Sequence, residues 1–233
     1  MNAISNMMHV PMLLAGLCGC WLPSSATAQV ATPEKSGFVR LVNAVAQGQD
    51  KLQLLIDGEL MNPQGYDFGD VTGGIGLKPG THHISIRRMS VKEASTRVQV
   101  IADTTLILIP FAEWVPATAD KAAHWAMRIL RLKQMDPESK RTATFVSVSQ
   151  TPEHEVEISA PNGNWTKVFV KRLAITRTPI HYPEGYVPLR CKSTKLAPIP
   201  IGKPGNYLVV IHDDANGNMQ AINLQDYKYL STR

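Results

Sequence analysis

A glycine-rich stretch with two adjacent histidines is the first part of the chain that could carry chemistry. It reads VTGGIGLKPGTHHISIRR from Val71 to Arg88. A phosphate-binding glycine loop needs a helix N-terminus whose amides face the anion, but here Pro79-Gly80 precedes an alternating, strand-like pattern. In Lys78-Pro-Gly80 the proline presets φ and the glycine supplies a positive φ. The stretch therefore predicts a turn followed by a strand, in preference to a nucleotide site.

The histidines and one acidic loop give weak signals for a metal. His82 and His83 are adjacent, and neighbouring side chains on a strand point to opposite faces, so the pair does not readily bind one metal. The segment from His212 to Asn218 (HDDANGN) resembles a calcium loop, but its register is wrong and no glutamate follows. Asn216-Gly217 is better interpreted as a hairpin turn. We expect no metal and no cofactor; a metal site assembled through space and weak calcium binding are the alternatives.

Cys191 is the candidate for nucleophilic chemistry. Its neighbours in Leu-Arg-Cys-Lys are cationic, which predicts a lowered pKa and thiolate character. However, no His or Asn partner motif accompanies it, and no Gly-x-Ser-x-Gly elbow occurs in the chain. We therefore expect Cys191 to be a buried or incidental cysteine in a protein that is not an enzyme, with a thiol-dependent enzyme as the alternative.

Aromatic residues are the candidates for binding. They are predicted in or near loops, where exposed rings suit a sugar or peptide surface. The alternative, which we favour, is that the rings cover the open ends of the domains. The candidate binding residues are Tyr182, Tyr186, Trp165 and Tyr66.

Short alternating strands must position these residues. Phe38–Val42, His83–Ile86 and Thr105–Ile109 have strand-like patterns, and Asp57-Gly58 is a typical hairpin turn. Evenly spaced short strands predict antiparallel sandwiches in preference to βαβ units. We expect an all-β chain with two tandem immunoglobulin-like antiparallel β-sandwich modules after an N-terminal signal peptide.

The second half of the chain repeats the pattern of the first half. Thr144–Val148 resembles Phe38–Val42, and Lys203-Pro-Gly205 resembles Lys78-Pro-Gly80. The Phe-Val pairs lie 107 residues apart but the Lys-Pro-Gly turns lie 125 apart, which predicts about 18 extra residues near 171–196 in the second copy. The predicted organisation is a signal peptide (1–28), a linker (29–35), a first module (36–115), a connecting segment with a short helix over 117–123 and a strand near 125–133 (116–140), and a second module (141–230).

The N-terminus has the features of a secretory signal. The first 28 residues contain no Asp, Glu, Lys or Arg, and Val10–Pro23 is an apolar run too short to span a bilayer. Ser25-Ala-Thr-Ala28 has small residues at the positions read by a signal peptidase, which predicts cleavage after Ala28 and a periplasmic or secreted protein. The alternative is a lipoprotein anchored through Cys20, because Leu17-Cys-Gly-Cys20 resembles a lipoprotein box. No other segment is apolar for long enough to cross a membrane.

The charge distribution limits the class of partner. The net charge is +5 with a pI near 9.1, but Lys and Arg are scattered and form no basic arm. We therefore expect no nucleic-acid partner; the expected partner is an envelope protein or a glycan. One cysteine remains after signal removal, so no internal disulfide is expected in the oxidising compartment. The oligomeric state stays open.

The order of three motifs resembles a class of bacterial exported β-domains. These are Gly37–Ala44 (GFVRLVNA), Leu77-Lys-Pro-Gly80 and Gly202-Lys-Pro-Gly-Asn-Tyr207. The chain is similar to the periplasmic accessory proteins of alginate O-acetylation, which open each of two β-modules with a Phe-Val-Arg-x-x-Asn strand and use a Leu-Pro-Pro-Gly-like turn. The resemblance covers most of the mature chain in order of elements. It implies an exported, non-catalytic accessory subunit in exopolysaccharide modification or export. The departures are the extra residues of the second module, a weaker match at Thr144–Val148 and the lack of an inherited active-site residue.

Overall fold

The chain is built from β-strands. The computed structural model describes residues 35–135 and 139–226, and these residues form sixteen strands and no helix. In that part of the chain no helix is therefore long and apolar enough to cross a membrane. The expected all-β class is confirmed. The predicted signal peptide (1–28), the lipidation candidate Cys20 and most of the linker lie outside the described residues.

Eight strands belong to each module. The first module contains β1 (Gly37–Leu41), β2 (Gln49–Ile56), β3 (Glu59–Leu60), β4 (Ile75–Leu77), β5 (Gly80–Met89), β6 (Val91–Val100), β7 (Thr105–Val115) and β8 (His124–Lys133). The second contains β9 (Arg141–Ser147), β10 (Glu153–Ser159), β11 (Trp165–Lys171), β12 (Ile175–Pro179), β13 (Gly185–Cys191), β14 (Thr194–Ile201), β15 (Gly205–Asp213) and β16 (Met219–Asp226).

The two modules share one strand order. In the first module the order is β3-β2-β5-β6-β8-β7-β1-β4, and a single bridge from Lys92 to Ala126 joins its two halves. In the second module the corresponding halves are separate sheets, β11-β10-β13-β14 and β12-β9-β15-β16. Each strand therefore matches the strand eight places later. The duplication inferred from the sequence is a repeat of an eight-stranded sandwich.

The connectivity differs from the immunoglobulin pattern that the sequence suggested. In an immunoglobulin domain the first strand pairs with the second. Here β1 pairs with β4 and, in parallel, with β7, while β9 pairs with β12 and, in parallel, with β15. The modules are sandwiches, but each contains one parallel pair of strands. Alternating sequence does not reveal it, because a strand has the same inward and outward side chains whether it pairs in parallel or antiparallel.

The predicted insertion near 171–196 is wrong. That segment contains β12 and β13, the counterparts of β4 and β5, and corresponding strands keep a nearly constant spacing: β1 and β9 begin 104 residues apart, and β7 and β15 begin 100 apart. The error came from the two Lys-Pro-Gly turns, which are not equivalent. Lys78–Gly80 joins β4 to β5, whereas Lys203–Gly205 joins β14 to β15.

The predicted connecting segment belongs to the first module. No helix forms over 117–123; instead Thr118 and Lys121 form an isolated backbone bridge. The strand predicted near 125–133 is present as β8, which pairs with β7 along its whole length, from Val115–His124 to Leu106–Lys133. The first module thus extends past residue 115, because the apolar side of β8 is needed to complete its core.

Three apolar clusters hold the chain together. One fills each sandwich, and a third, which we call the seam, lies between the modules. The seam consists of Val42, Ala44, Ile107, Ile109, Phe111 and Leu132 from the first module and Val146, Val148, Leu208, Val210, Ile222 and Leu224 from the second. Most of its members are equivalent pairs, such as Val42 with Val146, so the modules pack through the same face of matching sheets.

Polar contacts close the borders of the seam. Arg40 Nη1 donates to the Gln225 carbonyl at 3.0 Å, and Arg172 Nη2 lies 2.6 Å from Glu113 Oε1. On another border the Gln150 side-chain amide donates to the Ala112 carbonyl at 3.0 Å. Each contact joins one module to the other. The two sandwiches are therefore fixed by directional bonds as well as by apolar burial.

Candidate functional site

Aromatic side chains are exposed on the outer face of the sheet β11-β10-β13-β14. On β11, Val168 and Val170 point into the core, so alternation turns Trp165 and Phe169 outward. On β13, the outward positions include Tyr186, which is 70% exposed. Phe169 is 56% exposed. We call the outward side chains of this sheet the aromatic face; they include Trp165, Phe169, Tyr186, Glu157, Arg190 and Lys195.

An ion pair orients Trp165 on this face. The Arg190 guanidinium carbon lies 4.0 Å from the centroid of the Trp165 ring, and Arg190 Nε donates to Glu157 Oε2 at 2.6 Å. That bond lowers the pKa of Glu157, which stays ionised at neutral pH. Cation–π stacking and the ion pair together fix the ring across the strands. The position of Trp165 is therefore preorganised.

The aromatic face also carries a pair of cations in register. Arg190 on β13 lies directly opposite Lys195 on β14. Like charges at opposed positions repel each other, and Glu157 compensates only one of the two. Farther along, Lys167 Nζ is satisfied by Glu155 at 2.7 Å. An anion placed beside Arg190 and Lys195 would relieve the repulsion.

The structure separates the four predicted binding residues into two groups. Trp165 and Tyr186 both lie on the aromatic face. Tyr182 is half-buried against the core of the second module, and Tyr66 is half-buried against the core of the first, where burial raises the pKa of its hydroxyl. The sequence reasoning missed Phe169, although the alternation in WTKVFVK would have placed it outward.

Cys191 does not have the reactive character expected from its neighbours. Its side chain is 4% exposed and lies in the core of the second module, at the position that Ile86 occupies in the first. Burial raises the pKa of the thiol, so the expected thiolate is contradicted. The flanking cations do not reverse the rise in the pKa of the thiol. Alternation turns Arg190 to the opposite face of the sheet, and the Lys192 charge lowers the pKa by less than burial raises it.

The Lys-Pro-Gly segment of the first module is a turn followed by a strand, as expected. His82 at its end binds Asp57 Oδ2 through Nδ1 at 2.6 Å and the Lys78 carbonyl through Nε2 at 2.8 Å. The His83 amide donates to Asp57 Oδ1 at 2.8 Å. The Lys78 carbonyl and the Asp57 carboxylate raise the pKa of His82, because both ring nitrogens donate when the ring is protonated. His82 therefore ties two turns together.

The predicted calcium-like loop is the turn between β15 and β16. Asp214 Oδ1 accepts the amides of Asn216 and Asn218, each at 2.8 Å, which is local turn bonding. Among the described residues, no group of three or more His, Cys, Asp or Glu side chains is placed to hold a metal ion.

Comparisons with known proteins add little to this picture. No protein-family model and no curated protein matches the chain. Among solved structures, the TIE protein of Bacillus anthracis is similar at 8% identity and a TM-score of 0.25, over 77% of this chain and 50% of that one. A protein of Bacteroides thetaiotaomicron, provisionally described as an adhesin, is similar at 11% identity and a TM-score of 0.20, over 84% of this chain and 100% of that one. The chain thus spans half of the first protein. Likenesses this low carry no argument about function.

Proposed function

We propose that the chain is an exported, non-catalytic binding protein of the bacterial cell envelope, and that its aromatic face binds an acidic glycan chain. The observation that carries the proposal is the outward placement of Trp165, Phe169 and Tyr186 on one sheet face, where Phe169 and Tyr186 are exposed and Trp165 is partly covered by Arg190. The matching strands of the first module, β2, β3, β5 and β6, contain no Phe, Trp or Tyr. Exposed aromatic groups of this kind are typical of binding surfaces.

The chemistry of the face supports an extended acidic ligand. Aromatic rings offer apolar faces to the C–H side of sugar rings, while Arg190 and Lys195 suit a carboxylate or sulfate. Tyr186 and Arg190 are four residues apart on β13, which corresponds to about 13 Å along a strand. That length suits several linked sugars better than a single one.

The sequence features supply the cellular setting of the proposal. The signal-like N-terminus supports export, and the resemblance to accessory proteins of alginate O-acetylation supports a place in exopolysaccharide modification or export. In that role the chain would hold the polymer while a separate enzyme modifies or moves it.

A glycan titration of the mature chain tests the proposal. Uronic-acid oligomers should bind, and Tyr186→Ala or Trp165→Ala should each weaken binding about three- to tenfold, the range expected for losing one aromatic contact. Trp114→Ala is the matched control, because Trp114 is 46% exposed but lies in the first module. Calorimetry gives the affinities. Equal losses in all three variants, or no binding of acidic oligomers, would contradict the proposal.

A second candidate function is assembly with an envelope protein. Phe169, Leu173 and Ile175 are 56%, 44% and 52% exposed, and they lie on or between β11 and β12, which are edge strands of their sheets. Open edges beside exposed apolar side chains favour pairing with a strand of another protein. Crosslinking in the native envelope with Ile175→Lys as the comparison tests this candidate: a partner that is captured by the wild type and lost by the variant would support it.

A further inference from the structure

A cleft of about 490 Å³ opens at one border of the seam. It lies on the side of β15 and β16, in the sheet opposite to the aromatic face. The first module contributes Phe68 and Val71, and the second contributes His212, Asp214, Gln220 and Asn223. Clefts of this volume between domains are common sites for small ligands.

The two aromatic rings of the cleft pack against each other across the modules. The ring centroids of Phe68 and His212 are 4.9 Å apart, and the rings are nearly perpendicular. Phe68 remains 37% exposed, whereas His212 is 2% exposed. Burial lowers the pKa of His212, so its ring is neutral at pH 7. A ring face from Phe68 is thus available to a ligand, and His212 brings no positive charge.

The polar groups of the cleft are hydrogen-bond acceptors. Bonds from the amides of Asn218 and Asn216 and from the Asn218 side chain lower the pKa of Asp214 and hold its carboxylate in place. The Asn223 amide nitrogen donates to the carbonyls of Ala197 and Pro198, at 2.7 and 3.2 Å. Its oxygen is buried and has no partner among the described residues. The Asp214 carboxylate would accept an N–H donor, whereas the Asn223 side chain is directed to β14, because it shares a side of β16 with the core residue Ala221.

The surrounding charges are acidic, although the chain carries a net charge of +5. None of the cleft's lining residues in the described part of the chain is Lys or Arg. Asp213, next to His212, has its carboxylate bonded by Ser149 and Gln150, and Asp67 beside Phe68 is paired with Lys51 at 2.8 Å. Asp214 therefore presents the uncompensated charge of the cleft, which Phe68 also lines.

We propose that the cleft is a binding site for a small organic cation that bears an ammonium or guanidinium group. The charged group would lie between the Asp214 carboxylate and the Phe68 ring, which combines an ion pair with a cation–π contact. The site is independent of the aromatic face, and it selects ligands of opposite charge.

The test is a titration of the mature chain with arginine amide and with spermidine, followed by calorimetry and by NMR of the backbone amides. Glucose and acetate serve as neutral and anionic probes. Both cations should bind and shift the amides near Phe68 and Asp214. Asp214→Asn should weaken binding at least tenfold, because the amide oxygen can keep the two backbone bonds of the turn, although it loses the Asn218 side-chain bond, and the group lacks the charge. Asp50→Asn, in another cleft, is the matched control and should bind like the wild type.

A second variant protects the test from a folding defect at Asp214. Gln220→Lys places a cation at the exposed edge of the cleft and leaves the turn of Asp214 unchanged, so it should also abolish binding. The proposal is overturned if neither cation binds, if glucose or acetate binds as well as the cations, or if Gln220→Lys and Asp50→Asn behave alike. Glycan binding on the aromatic face is unaffected by any of these outcomes.

Discussion

The outer sheets of the two modules have the same strand order and different surfaces. In the first module most outer side chains are polar and some are paired, as in Arg87 with Glu93 at 2.9 Å, and Met89 is an exposed apolar exception without an aromatic ring. In the second module the same face presents Trp165, Phe169 and Tyr186. The inward sides have not diverged in this way, because Ile84 and Leu189 occupy equivalent core positions. The duplication keeps most inward side chains apolar, whereas only the second module has aromatic side chains on the outer face, so that face is where a separate function is expected.

In the seam too, central positions match between the modules and positions at the border do not. Its centre is built from equivalent apolar pairs such as Ile109 and Val210, because either face alone would leave an exposed apolar patch. At its border the equivalence ends, since Phe111 of the first module corresponds to His212 of the second. The cleft opens beside His212, where the two modules stop matching.

The largest expected effect tests how differently the two cores are filled. Tyr207 is fully buried opposite Ala143, whereas the first module places Leu106 opposite Val39. The Tyr207 hydroxyl also donates to the Lys203 carbonyl and accepts the Gly202 amide. Tyr207→Ala should lower the free energy of unfolding by about 3–5 kcal/mol, and Leu106→Ala, which is only half-buried, by about 2 kcal/mol. Chemical denaturation measures both. An equal loss of unfolding free energy in the two variants would contradict the prediction that Tyr207 stabilises its core more than Leu106 stabilises the other.

A smaller effect is expected on acidification, and it should arise in the second module. Burial lowers the folded pKa of His212, although Asp213 and Asp214 oppose the shift. Above the unfolded pKa of about 6.5 the histidine is neutral in both states. As the pH falls below that value, the unfolded chain takes up the proton first and stability declines, by at most about 1.4 kcal/mol per pH unit.

His212→Phe isolates this effect, because it gives the second module the residue that the first has at Phe111. The variant should lose part of the decline between pH 7 and pH 5, measured as the midpoint of thermal unfolding. His124→Phe is the control, since His124 lies at the start of β8, away from the seam. A decline that is the same in wild type and in both variants would assign the acid sensitivity to other groups.

Several features of this fold follow from local sequence. Two differences from the sequence predictions, in the strand connectivity and in the insertion near 171–196, both concern which strands or turns correspond over a long distance in the chain. Asp57-Gly58 forms the expected two-residue turn, because its conformation depends on residues close in the chain, whereas Asn216-Gly217 lies in the longer loop 214–218, in which Gly217 but not Asn216 has a positive φ. Alternation also places Cys191 inside and Phe169 outside. The parallel pairing of β1 with β7 depends on strands that are distant in sequence, so no local pattern encodes it. The false insertion arose because one type of turn serves two different connections.

The smallest expected effect is at alkaline pH and should arise in the first module. His82 occupies the position of Val187, and it replaces an apolar contact with bonds to Asp57 and Lys78. These bonds raise the folded pKa of His82, so their contribution is complete below the unfolded pKa of about 6.5 and is lost as the pH rises through the folded value. The His83 amide and, to a smaller extent, the His82 ring lower the pKa of Asp57, so the contribution of Asp57 is lost only in acid. Because Asp57 is largely exposed, the loss should be about one or two degrees in Tm, of the order seen for screened ion pairs.

His82→Val should remove the decline in Tm between pH 6 and pH 9, and His83→Val should keep it. If the decline survives in His82→Val, the turn contact does not distinguish the modules, and their difference would lie in the outer faces and the seam border alone.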